Sequence, residues 1–110
     1  MLGAELPSLG DRSEDRAELP FAMQLGTSVW QGVIDRLYRV GGEWRIDDYK
    51  TDRNVNPMRY VLQAAVYRQA VRAALDVTPS VRLVYLRTRE IVSIGHDAMD
   101  RALESIPDRH

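Results

Sequence analysis

No cysteine occurs in the 110 residues, which excludes disulfides, thiolate zinc sites and iron–sulfur clusters together. Any bound metal must therefore sit on oxygen or imidazole. No stretch approaches the roughly 18 apolar residues of a membrane span, and the N-terminus lacks the basic-then-apolar layout of a signal peptide. A cytoplasmic protein without a membrane partner is the expectation. A dominant charge is missing too: the net charge is −1, so any affinity for nucleic acid must rest on local arrangement. The phosphate-binding pattern G-x-x-x-x-G-K-[ST] is absent, so the chain carries no such motor loop. Lysine is almost absent. Fourteen of the fifteen basic residues are arginine, and Lys50 stands alone. A general bias toward arginine accounts for that background, yet a compact ammonium can do proton and water chemistry that a permanently charged guanidinium cannot.

What is present, 45% hydrophobic and 28% charged residues, fits one globular domain with a modest core. Residues 1–17 mix Pro, Gly, Ser and both signs of charge without apolar periodicity, and read as a flexible arm or truncated edge. A single core domain is expected over 18–110. Glu18 to Leu25 suits a short extended segment, closed by Gly26-Thr27-Ser28. Trp30 to Val40 and Glu43 to Thr51 are rich in β-branched and aromatic residues and flank Gly41-Gly42, a pair that accepts positive φ at both turn positions of a β-hairpin. Asn56 is suited to cap a helix and Pro57 to open it. That helix should run to about Leu75, with Met58, Leu62, Ala65 and Val66 as its buried stripe. Val81 to Leu86 reads as a buried strand, with Ile91 to Ile94 beside it. Asp97 is placed to cap a last helix, with Met99, Ala102, Leu103 and Ile106 on one side and Pro107 ending it. The order strand, strand, strand, helix, strand, strand, helix predicts a mixed sheet with helix packed on it, an α/β (α+β) class.

The hairpin carries the chemistry. Counted outward from the Gly-Gly turn, Asp35 and Asp48 are each the sixth residue, so they face each other on one side with Cβ atoms about 4.5–5.5 Å apart. Two such carboxylates repel unless a cation lies between them. Lys50, two residues beyond Asp48, shares that face, while Asp47 and Tyr49 point away. Val33, Leu37, Trp44 and Ile46 are expected to surround the acids and lower the local dielectric. Magnesium or manganese suits two carboxylates that leave room for bound water.

Gly32-Val33-Ile34-Asp35-Arg36, Asp48-Tyr49-Lys50-Thr51-Asp52, and then Tyr60, Gln63 and Tyr67 together resemble the PD-(D/E)XK nuclease superfamily. Within it the pattern is similar to the RecB-like nuclease domain at the C-terminus of AddA and RecB helicase-nuclease proteins. The resemblance spans roughly residues 18–94. It implies a restriction-endonuclease-like core and a metal held by Asp35, Asp48 and the Tyr49 carbonyl, with Tyr49 packed in the core and Glu18 as an upstream acidic ligand. Lys50 would orient or activate the attacking water, and Gln63 and Tyr67 would line the site. Tyr60 shares their helix face. Arg36, Arg53, Arg59 and Tyr60 are the candidate DNA contacts, with Arg39 and Arg68 as further phosphate-binding candidates.

The chain departs from that family in three ways. Only a short unpatterned segment precedes Glu18, where relatives place helices, one bearing a histidine; those N-terminal helices are expected to be missing. His96 and His110 lie downstream without ligand spacing, and His96 suits a turn or cap. The helicase motor that accompanies such domains is expected to be missing as well, since no phosphate-binding loop occurs in these residues. The expectation is a Mg²⁺- or Mn²⁺-dependent deoxyribonuclease of exonuclease type, acting with a helicase partner in DNA repair and recombination. Two alternatives stay open: a catalytically inactive nuclease-fold fragment serving DNA binding or the assembly of subunits, and a metal-dependent phosphohydrolase acting on nucleotides or RNA.

Overall fold

The computed structural model describes residues 15–106. Five strands form one sheet in the order β1-β2-β3-β4-β5: β1 Asp15–Leu25, β2 Ser28–Val40, β3 Glu43–Lys50, β4 Ser80–Tyr85 and β5 Glu90–Ile94. All neighbours are antiparallel except β3 and β4, which run parallel. A parallel pair requires a crossover, and here a 3₁₀ turn over Pro57–Tyr60 leads into helix α1, Val61–Leu75, before the chain returns as β4. Helix α2, His96–Leu103, packs on α1. The result is the expected α+β architecture.

The Gly-Gly turn behaves as its residues dictate. Gly41 and Gly42 have φ of 58° and 87°, values that side chains resist and that match the twist of a two-residue hairpin. Pairing follows from that turn: Val40 faces Glu43, Leu37 faces Ile46 and Arg36 faces Asp47.

The core lies on one face of the sheet. Leu19, Ile34, Leu37, Ile46, Val81 and Leu83 are buried there with Ala64, Ala65, Ala70 and Val71 of α1. Alanine at the contact lets the helix seat close to the strands, with Phe21, Tyr67 and Tyr85 filling the core beside it. Asp76 ends α1 in the left-handed conformation, its N–H donating to the Arg72 carbonyl, which satisfies one of the carbonyls left free at a helix end. Arg68, a phosphate-binding candidate by sequence, is instead buried between the helices. It donates to Asp100 and meets His96 Nδ1 at 2.9 Å. A guanidinium only donates, so that ring nitrogen accepts. His96 opens α2.

Several sequence expectations shift. β1 begins at Asp15, so 15–17 belong to the sheet, while the rest of the proposed arm, Pro107 and His110 lie outside the described residues. Met58 is 78% exposed, because the helical periodicity assumed for it starts only at Val61, after the 3₁₀ turn. Asn56 makes no side-chain cap. Gly95, not Asp97, occupies the cap of α2; Asp97 falls in its first turn, where a carboxylate still favours the helix dipole.

Candidate active site

β2 does not pass Asp35 as a regular strand. Ile34 and Leu37 are both fully buried although three residues apart, so the in–out alternation slips across Asp35 and Arg36. Asp35 is skipped in both ladders: β1–β2 pairing resumes at Ala17–Arg36 after Leu19–Ile34, and β2–β3 pairing stops at Arg36–Asp47. The expected register holds, but Asp35 and Asp48 are not a ladder pair. The Asp35 carboxylate instead accepts the Tyr49 N–H at 2.7 Å, a side-chain oxygen taking the place of a strand carbonyl. The slip also corrects the expected surround: Leu37 and Ile46 are buried, whereas Val33 is turned out and 46% exposed.

Asp48 stands on the core face of β3 and is 2% exposed. Burial is the main cause pushing its carboxyl up, to about 6; Lys50 pulls it down, and the hydrogen bonding and charge of Asp35 push it up further. Asp35 is therefore close enough to oppose the ionisation of Asp48, as the turn count requires. Lys50 Nζ forms an ion pair with Asp48 Oδ2 at 3.1 Å, and this buried oxygen accepts no hydrogen bond from the described residues. The ammonium donates instead to Gln63 Oε1 at 2.7 Å. Tyr67, one turn further along α1, sets its ring edge-on to Phe21 at 5.4 Å between centroids. Burial, then the charges of Asp48 and Asp35, hold its hydroxyl proton far above the ordinary phenol range. Asp35, Asp48, Lys50, Gln63 and Tyr67 thus share one site.

A buried carboxylate oxygen that accepts no hydrogen bond and meets only an ammonium, beside a second carboxylate, is a donor set for a hard divalent cation. Asp35 and Asp48 fit such an ion. Glu18 does not join them. It lies across from Asp35 by register, but it is exposed with φ of 53°, and the described residues contain no group of three acidic or imidazole side chains set for a metal.

The remaining candidates divide by face. Tyr49 is 39% exposed rather than packed in the core, because its side chain points to the face opposite α1. Arg36 is on that face too, paired through two hydrogen bonds with Asp15 and stacked over the Tyr38 ring at 4.4 Å. Its charge is neutralised away from the site, so it is not placed as a phosphate contact there. Asp47, buried on the same face, accepts from Tyr38 and from Arg82 at 2.9 Å. Arg53 and Arg59 are exposed near the end of β3. Tyr60 turns inward: its ring lies 3.7 Å from Lys50 Nζ and its hydroxyl donates to Asp52 Oδ2 at 2.6 Å.

Sequence reasoning missed three residues of this neighbourhood. Asp52 was visible as the last residue of the Asp-Tyr-Lys-Thr-Asp run, but nothing local showed that Tyr60 folds back onto it. Arg87 and Arg89 sit in the β4–β5 turn, which the Leu86 N–H ties to the Lys50 carbonyl at 2.9 Å and the Arg89 N–H ties to the Tyr85 carbonyl at 2.8 Å. Only the parallel β3–β4 register, Lys50 beside Tyr85, brings that turn to the site.

A mixed sheet whose hairpin sets two acids and a lysine under a crossover helix defines a nuclease fold. The family model of the PD-(D/E)XK nuclease superfamily matches residues 4–109, and the chain belongs to that superfamily. It is similar to an ATP-dependent helicase/nuclease subunit of Lysinibacillus sphaericus (strain C3-41), 30% identical over 93 residues, which cover 68% of this chain and 8% of that relative. The chain therefore spans a small part of the protein it matches.

Proposed function

We propose that this chain is a Mg²⁺- or Mn²⁺-dependent deoxyribonuclease module that hydrolyses phosphodiester bonds. The observation that carries the proposal is the buried Asp48 carboxylate, set beside Asp35 and ion-paired through Oδ2 with the Lys50 ammonium while that oxygen accepts no hydrogen bond. In this reading Asp35, Asp48 and the Tyr49 carbonyl hold the ion, which supplies charge stabilisation for the phosphoryl oxygens and a more acidic water. Lys50 offers a proton-bearing cation toward the attacking water and the developing phosphate charge, and Gln63 fixes its direction. Tyr67 closes the inner wall and keeps its proton. Arg53 and Arg59, joined by Arg87 and Arg89, form the rim that engages the DNA backbone.

Exonuclease action, a helicase partner, a place in DNA repair and recombination, and work in the cytoplasm are parts of the same proposal, supported by the likeness to a helicase/nuclease subunit. The test is degradation of linear against circular DNA by the purified chain, with Mg²⁺ or Mn²⁺ against a chelator. Cleavage should vanish in Asp48→Ala and Lys50→Ala, by about a hundredfold or more, with the fold retained by circular dichroism. The exposed Glu18, which leaves two acids rather than three at the site among the described residues, favours a second reading, a catalytically inactive nuclease fold serving DNA binding or the assembly of subunits. Metal-independent DNA binding by a folded chain that cuts no DNA would select it.

A further inference from the structure

A lysine ammonium rides on four rotatable bonds, so a useful one must be held. Lys50 is held from three sides: Asp48 Oδ2 at 3.1 Å, Gln63 Oε1 at 2.7 Å and the face of Tyr60 at 3.7 Å. The third contact has an anchor of its own. Tyr60 closes the 3₁₀ turn that Pro57 opens, and its hydroxyl donates to Asp52, two residues past Lys50, at 2.6 Å. The chain thus leaves β3 and returns to clamp the side chain it has just passed. A phenol that donates to a carboxylate also gains electron density, and a richer ring face attracts a cation more strongly. Asp52 correspondingly keeps the Tyr60 proton in place above the usual phenol range.

We infer that Asp52 and Tyr60 form a brace that positions the Lys50 ammonium, Tyr60 with its ring face and Asp52 by holding the Tyr60 hydroxyl. Tyr60, a DNA contact by sequence, becomes a positioning residue. The effect on catalysis rests on the nuclease reading; the brace itself does not.

The single lysine makes the test direct. In the full chain labelled with ¹³C,¹⁵N-lysine, the ε-methylene gives one resonance, expected upfield of free lysine because of the Tyr60 ring current. Tyr60→Leu should return it to the free-lysine position, Tyr60→Phe should keep part of the shift, and Asp52→Ala should reduce it, each in a chain whose amide spectrum reports an intact fold. In DNA cleavage, Tyr60→Leu should lower kcat about tenfold, the equivalent of one desolvated cation–π contact, with KM little changed and Tyr60→Phe intermediate. An unmoved lysine resonance in folded Tyr60→Leu overturns the brace, and so does a loss confined to KM, which would make Tyr60 a DNA contact. A wild-type chain that does not cut DNA defeats the nuclease reading alone, since the resonance still decides whether the brace exists.

Discussion

A carboxyl whose pKa is raised by folding opposes the fold whenever it is ionised, and Asp48, pushed up to about 6 mainly by burial, is such a group. Between its ordinary value and about 6 the folded chain binds more protons than the unfolded one, so stability falls as pH rises through that window. Asp48→Asn should therefore stabilise the metal-free protein above pH 6, by no more than about 3 kcal/mol given the size of the shift, and the gain should shrink toward pH 4. Thermal denaturation of both chains across pH 4–8 checks this; an equal or lower Tm for Asp48→Asn at pH 8 refutes it. Such behaviour marks a residue kept for chemistry rather than for the fold. The same residues show how far sequence reaches. Asp35, Asp48 and Lys50 were legible as a set because the Gly-Gly turn fixes a register that can be counted. The buried slip at Asp35 was not, because Ile34 and Leu37 each look like ordinary strand residues, and only their joint burial reveals the break.

At the scale of elements, every strand and both helices were legible from periodicity and turn residues, and the errors sit where one periodicity gives way to another. Met58 and Asn56 precede α1 in a 3₁₀ turn, whose three-residue repeat sends side chains elsewhere. α2 depends on packing: its eight residues are too few for a helix to persist alone, and Met99 is its fully buried contact. Met99→Ala should cost about 3 kcal/mol, read as a lower urea midpoint with an unchanged slope. The β4–β5 turn makes the complementary case, an element whose exposed side chains stabilise nothing visible. Arg87 and Arg89 are exposed and show no ion pair among the described residues, unlike Arg36, Arg68 and Arg82. If the turn engages DNA phosphates, replacing both by alanine should leave Tm unchanged and flatten the salt dependence of DNA binding by about one to two in log–log slope. Fluorescence anisotropy over a salt series, with Ca²⁺ in place of Mg²⁺, measures that slope. An unchanged slope would remove the turn from the DNA path.

The whole molecule places Asp48 and Lys50 on the central strand of its sheet. β3 is paired on both sides, antiparallel to β2 and parallel to β4, and is covered on its core face by α1, with Ile46 and Leu83 fully buried beside the site. Amides of Ile46 to Asp48 should therefore exchange hydrogen most slowly, near the global unfolding limit, whereas the edge strands β1 and β5 open sooner. That rigidity has a purpose at the site, since a flexible strand would let Asp35 and Asp48 separate and relieve their repulsion. Lys50 offsets part of that repulsion, and protonation of Asp48 or a bound divalent ion would relieve the rest. A divalent ion that binds the folded chain alone should raise stability by about 2.7 kcal/mol at a hundred times its Kd. Because proton and ion compete for Asp48, the gain should grow as pH rises through about 6 and be lost in Asp48→Asn. Thermal denaturation with and without Mn²⁺ at pH 5 and pH 8 tests this without any substrate. A gain equal at both pH values, or one that survives Asp48→Asn, would place the ion elsewhere on the molecule.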